Sequence, residues 1–115
     1  MSEGSAIEFD ESKWPRLLIR FIHKPTDLEF ANYLANYERY LDRPERYGLI
    51  LEVRPEVGMT PVSQARMQAN WMKEHKPRLR ARCHGVAFVL PSAVHRGVLK
   101  AILTMTPMPT PYGVC

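Results

Sequence analysis

Two short runs of β-forming residues, "YGLILEV" at 47–53 and "GVAFVLP" at 85–91, are apolar with almost no alternation. Such runs mark strands that are covered on both faces or lie at the centre of a sheet. The residues between them have helical spacing, and strands joined through helices run parallel by right-handed crossovers. This pair of runs therefore commits the chain to an α/β sheet. Nearer the N-terminus, "AIEFDE" alternates Ile7 and Phe9 with Glu8 and Asp10, the period of a half-buried strand. After the turn "SKWP", "RLLIRFI" (16–22) sets Leu18, Arg20 and Ile22 to one side and Leu17, Ile19 and Phe21 to the other. The closeness of the two strands predicts a hairpin.

Three helices are expected. The first has Thr26 as N-cap, Asp27 and Glu29 in its first turn, and Phe30, Leu34, Tyr37 and Leu41 on one stripe, with Pro44 closing it. In the second, Thr60 is the expected cap and Pro61 the first helical residue, and Val62, Ala65, Ala69 and Met72 form the inner face. That face continues in phase to Leu79 and Cys83, so the helix is read as kinked or restarted at Pro77. Ser92 caps the third, whose expected inner face is Val94, Val98, Ala101, Ile102 and Met105. A proline-rich loop then enters a terminal strand at Tyr112–Cys115.

The order is β-β-α-β-α-β-α-β: an α/β chain with a mixed, mostly parallel sheet and helices mainly on one face. At 115 residues, 45% of them apolar, one domain over residues 1–115 can bury its own core. The longest apolar run, Val86 to Leu90, is far too short for a membrane span. The start "MSEGSAIEFDES" has no basic, apolar signal pattern, so the expectation is a cytoplasmic protein with Cys83 and Cys115 reduced, a disulfide between them being the less favoured alternative.

Signatures of chemistry are sparse. His23, His75, His84 and His95 fall on different elements without metal-ligand spacing, so neither metal nor cofactor is expected. Cys83 and His84 are neighbours in a strand and point to opposite faces, and Glu52 has no second carboxylate placed to work with it. No nucleophile, base and orienter can be assembled, and an enzyme is not expected. The junction "EVRPEVGMTPVSQ" (52–64) opens a helix and offers free N–H groups, but one glycine and no lysine make a poor phosphate loop. Thr60 and Ser63 stand there as candidates for phosphorylation or contact. The net charge is +4, with a basic stretch of Arg66, Lys73, Lys76, Arg78, Arg80 and Arg82 against Glu74 alone. With Trp71, the residues Arg66, Lys73, Lys76, Arg78 and Arg82 form a candidate surface for an acidic partner, the simpler reading being a solvated helix face. The aromatics do not interleave with the charges, so nucleic acid is not an expected partner.

The stretches "WPRLLIRF", "YGLILEVR", "QARMQANWMKEHKPRLRARCHGVAFVLPS" and "HRGVLKAILTMTPMPTPYGVC" resemble the STAS-like (SpoIIAA-like) domains, the fold of bacterial anti-sigma-factor antagonists. Members usually add a C-terminal helix, which a chain ending at Cys115 does not reach. In the sigma-regulating members an Asp-Ser-Ser-Gly-like motif opens the second helix, whereas here Gly58, Met59, Thr60, Pro61, Val62 and Ser63 occupy that place. The resemblance therefore implies a non-enzymatic regulatory or scaffold module acting through protein contacts, without that phosphoacceptor. The alternative is a small-molecule or lipid-binding carrier, because SpoIIAA-like proteins are also compared with CRAL-TRIO lipid-binding domains, with Met105 and Met108 walling a pocket. A filled core under the third helix favours the module; a sizeable apolar cavity open to solvent favours the carrier. A homodimer is also expected, through the uncovered sheet face or through hairpin rows made of Ile7, Phe9, Leu18 and Ile22 with Trp14.

Overall fold

The computed structural model describes residues 5–105 and 109–114, without the side chains of Ile102 and Met105. Ten elements follow in order: β1 (Ile7–Lys13), β2 (Arg16–Phe21), α1 (Asp27–Leu41), β3 (Tyr47–Val53), a single 3-10 turn (Pro55–Val57), α2 (Val62–Glu74), α3 (Lys76–Arg82), β4 (Cys83–Val89), α4 (Ala93–Met105) and β5 (Tyr112–Val114). The five strands form one sheet in the order β1-β2-β3-β4-β5. β1 is antiparallel to β2, and the remaining pairs are parallel. The mixed α/β class read from the sequence holds, and the second expected helix is divided at His75, two residues before Pro77.

Sequential strand order with right-handed crossovers stacks every helix on one face of the sheet. That face carries Leu17, Ile19 and Phe21 of β2, Tyr47 and Leu49 of β3, and Cys83 and Val86 of β4. Against it pack Phe30, Tyr33, Leu34, Tyr37 and Leu41 of α1 and Leu79 of α3. Tyr33 joins the expected α1 stripe, only 3% exposed, because Phe21 and Phe30 meet its ring edge-on at 5.1 and 5.2 Å. α1 opens on a complete capping box: the Thr26 hydroxyl accepts from the Glu29 N–H at 3.1 Å, and the Glu29 carboxylate accepts from the Thr26 N–H at 2.8 Å.

Several expectations change. Ile7 and Phe9 pair with Phe21 and Ile19, which places them on the helix side and not in a row with Leu18, whose partner is Asp10. Phe9 stacks on Tyr40 at 5.7 Å, and Trp14 lies against Tyr40 and Tyr47, each 5.5 Å away. Arg43 caps this cluster 4.6 Å over the Trp14 ring and pairs with Glu11 at 2.9 Å. The hairpin's aromatic side chains thus pack within the same chain, on α1 and on Tyr47 of β3. β4 begins two residues before the expected Gly85 because the register shifts between Tyr47 and Gly48, leaving His84 outside the pairing. Gly85 itself meets the Pro111 carbonyl, which would lie 3.2 Å from any Cβ there. Cys83 is a free buried thiol, and Cys115 lies outside the described residues.

Candidate functional site

The helices do not fill the space above β3 and β4. An apolar cavity of about 260 Å³ lies there, open to solvent. Its floor is Leu49, Leu51 and Val53 with Val86, Phe88 and Leu90, the residues of the two defining strands. α1 contributes Phe30, Tyr33 and Tyr37, α2 contributes Ala65, Ala69 and Met72, and α4 contributes His95, Leu99 and Leu103. Small side chains at 65 and 69 are one local reason the space stays open.

The topology gives this cavity two ends. In a parallel sheet the strands finish at one edge, and the helices that follow begin there. Val53, Leu90, Met59, Thr60, His95 and Val98 lie at that edge. Cys83, where β4 starts, and Thr110, just before β5, lie at the opposite edge with Tyr37 and Leu79.

At the first end the 52–64 junction has a plain structural role. Gly58, at φ +67, turns its carbonyl to accept from the His95 Nε2–H at 3.1 Å, while His95 Nδ1 meets the Ser92 hydroxyl at 2.8 Å. The start of α4 is thereby tied to the loop after β3. Gln64, buried to 3% exposure, donates to the Pro25 carbonyl at 2.9 Å and to Asp27 Oδ1 at 3.1 Å, and the Ser63 hydroxyl donates to the same carboxylate at 3.2 Å. Thr60 is not the cap: α2 starts at Val62 with Pro61 as N-cap and no side-chain cap bond. Thr60 is exposed on the rim of the cavity, and Val62 is 70% exposed rather than inward. Leu28, Met59, Val94 and Val98 are also exposed at this end.

α4 is turned differently from its expected phase. Val94 is 66% exposed and Ala101 is exposed; Val98 does border the cavity, though 39% exposed, and the stripe one residue further on, His95, Leu99 and Leu103, also faces it. The side chains of Ile102 and Met105 lie outside the described residues, as does Met108.

At the inner end the Tyr47 hydroxyl donates to that of Tyr37 at 2.8 Å, beside the Cys83 thiol. Burial pushes the Tyr33, Tyr37 and Cys83 acidities well away from ionisation at neutral pH, so all three stay uncharged. No Asp, Glu, Lys or Arg borders the cavity among the described residues.

Two of the six basic residues of the stretch, Arg78 and Arg82, are engaged in tertiary contacts. Arg78 pairs with Glu38 at 3.4 Å and with Asp42, holding α3 to the end of α1, and the Arg82 guanidinium donates at 2.9 Å to the carbonyl of Pro44 in the loop that follows. Trp71 turns inward, edge-on to Tyr37 at 5.1 Å and stacked on His75 at 4.4 Å. Arg66, Lys73 and Lys76 stay exposed and are what is left of the expected surface, and Arg80 of the same basic stretch is exposed as well. Glu52 pairs with Arg20 at 3.1 Å on the helix-free face of the sheet. Among the described residues no group of His, Cys, Asp and Glu is placed to hold a metal, and no helix is long and apolar enough to cross a membrane.

The sequence reasoning missed the cavity's polar inner end. Tyr37, Trp71 and Cys83 come from three separate elements and Thr110 from the loop before β5, and they share no spacing that a sequence displays. No protein-family model, no curated protein and no solved structure matches the chain.

Proposed function

We propose that this protein is a binding domain for a small, uncharged, apolar molecule held between α4 and the sheet. The carrying observation is the solvent-open cavity under α4, lined by aliphatic and aromatic side chains from every helix and from the central strands. At about 30 Å³ per water-sized group, its volume of about 260 Å³ suits a ligand of roughly eight or nine such groups. Protonated tyrosines and thiol, with no charged side chain alongside, support binding rather than turnover. The STAS-like resemblance is compatible with this reading, because the carrier was its second implication.

Calorimetric titration with toluene tests the proposal. Binding is expected in the native protein and its loss in Ala69→Phe, which fills the space from α2 without lowering the melting temperature. Absence of binding in the native protein, or equal binding in the filled variant, would overturn it.

A protein-contact module of STAS-like type is the second reading. Its support is the helix-free sheet face, where Leu18, Ile50 and Ala87 align across three strands beside Val89, 37% exposed. A homodimer through that face would show twice the chain mass in light scattering, and Ile50→Lys would return it to the monomer.

A further inference from the structure

We propose that the edge of the sheet where β2, β3 and β4 end and α1, α2 and α4 begin is a docking surface for an anionic bilayer, which takes up aliphatic side chains from three segments of the chain. The inference rests on the outer surface and not on the pocket reading above, so either can fail without the other.

Among the described residues seven large apolar side chains are exposed, and five of them, Leu28, Met59, Val62, Val94 and Val98, belong to this edge. Hydrogen bonds gather the segments that carry them. Ser63 and Gln64 both donate to Asp27, which places the helix starts bearing Leu28 and Val62 side by side. His95 donates to the Gly58 carbonyl, which ties the start of α4, with Val94 and Val98, to the loop bearing Met59. Side chains of this size left in water forgo the stabilisation of burial, and a cluster of them marks a surface that something apolar covers.

Charge selects what covers it. The same segments, 22–30, 54–66 and 90–98, hold Lys24, Arg54, Arg66 and Arg96, and none of the four makes an ion pair among the described residues. The Lys24 side chain reaches the loop itself, its Cε 3.8 Å from where a Cβ on Gly58 would stand. The acids of these segments are Asp27, Glu29 and Glu56. Asp27 is held by Ser63 and Gln64 and Glu29 by the capping box of α1, which leaves Glu56 alone to oppose the four cations. A positive, aliphatic surface suits anionic headgroups over an acyl boundary.

The cluster has no aromatic ring for a nucleic acid to stack on. It also lies on three separate segments, without the strand edge or continuous helix face that peptide recognition uses, whereas a bilayer imposes no such register. Met59 and Val98 border the cavity as well, so an apolar ligand would pass between cavity and bilayer without crossing water.

Co-sedimentation of the full chain with vesicles tests the proposal. Binding is expected to vesicles of phosphatidylcholine mixed with phosphatidylglycerol, not to phosphatidylcholine alone, and to weaken as salt is raised. Arg54→Gln and Arg66→Gln should each weaken it about fivefold, the share of one charge near an anionic surface. Lys76→Gln and Arg80→Gln, on α3 at the opposite edge, should leave it unchanged. The double variant Leu28→Ser, Val62→Ser, with its fold intact by circular dichroism, should weaken it by about tenfold or more. No sedimentation with either vesicle would overturn the proposal and leave the cluster to a second copy or another protein. Equal sedimentation with both vesicles would overturn it too. So would binding that survives the double serine variant, or that falls as far with Lys76→Gln as with Arg66→Gln, since either describes only the diffuse attraction of a chain of net charge +4. Toluene titration reads the pocket independently of every one of these results.

Discussion

Ile19 and Leu51 are partners in register on the helix-covered face of the sheet, yet truncation is expected to affect them differently. Ile19 is fully buried beneath α1, so Ile19→Ala leaves a closed void and should cost about 3 to 5 kcal/mol. Leu51 and Phe88 border the open cavity and already lack neighbours on one side, so Leu51→Ala should cost about 1 to 2 kcal/mol. Urea denaturation of both variants checks this, and equal losses would mean the space over β3 is filled. Glu29 offers a pH-dependent contrast. Its carboxylate is held below its ordinary 4.5, first by the Thr26 backbone N–H. A lowered folded value means that its stabilisation is present above the unfolded value and is lost as pH falls through the folded one. The stability gap between native protein and Glu29→Gln should therefore close on acidification below about pH 4.5, as followed by denaturant midpoints.

At the scale of elements, helix starts diverge from what their residue types suggest. Thr26 and Thr60 look alike as caps, but only Thr26 closes a bond to its own helix. Thr26→Ala should cost about 1 kcal/mol, and Thr60→Ala should change stability by less than about 0.5 kcal/mol. The start of α2 is held instead by Gln64, whose acceptors belong to residues 25 and 27. Gln64→Leu leaves those acceptors unpaired and should cost about 1 to 3 kcal/mol, measurable by thermal or urea unfolding. Strand identity was legible because Leu49–Leu51 and Val86–Val89 are apolar on both faces, and α1 was legible through Thr26, Glu29 and its stripe. The phase of α4 was not. Its sequence offers one apolar row through Val94, Val98 and Ala101 and another through Leu99 and Leu103, and what tips the balance is a histidine bonded to the Gly58 carbonyl from 37 residues away. Periodicity ranks faces by apolarity and cannot see a partner on another element.

At the scale of the molecule, stacking the four helices of the described residues on one face of five sequential strands produces both features on which function can rest. On the covered face, α2 presents alanines and α4 is hinged at its start by His95, leaving a cavity between them. On the other, Arg20 and Glu52 sit beside a short apolar row. The helix-free face followed from the order of elements, but the cavity could not be read from the chain, since it arises from register and from side-chain size at facing positions. The central claim is that the cavity accepts an uncharged apolar ligand. Its most direct test is a nuclear Overhauser measurement between toluene and the protein's methyl groups. Cross-peaks are expected to Leu51, Leu99 and Leu103, which line the cavity. Contacts confined to Leu28 and Val62, both on the outer surface, would place the ligand outside and contradict the claim.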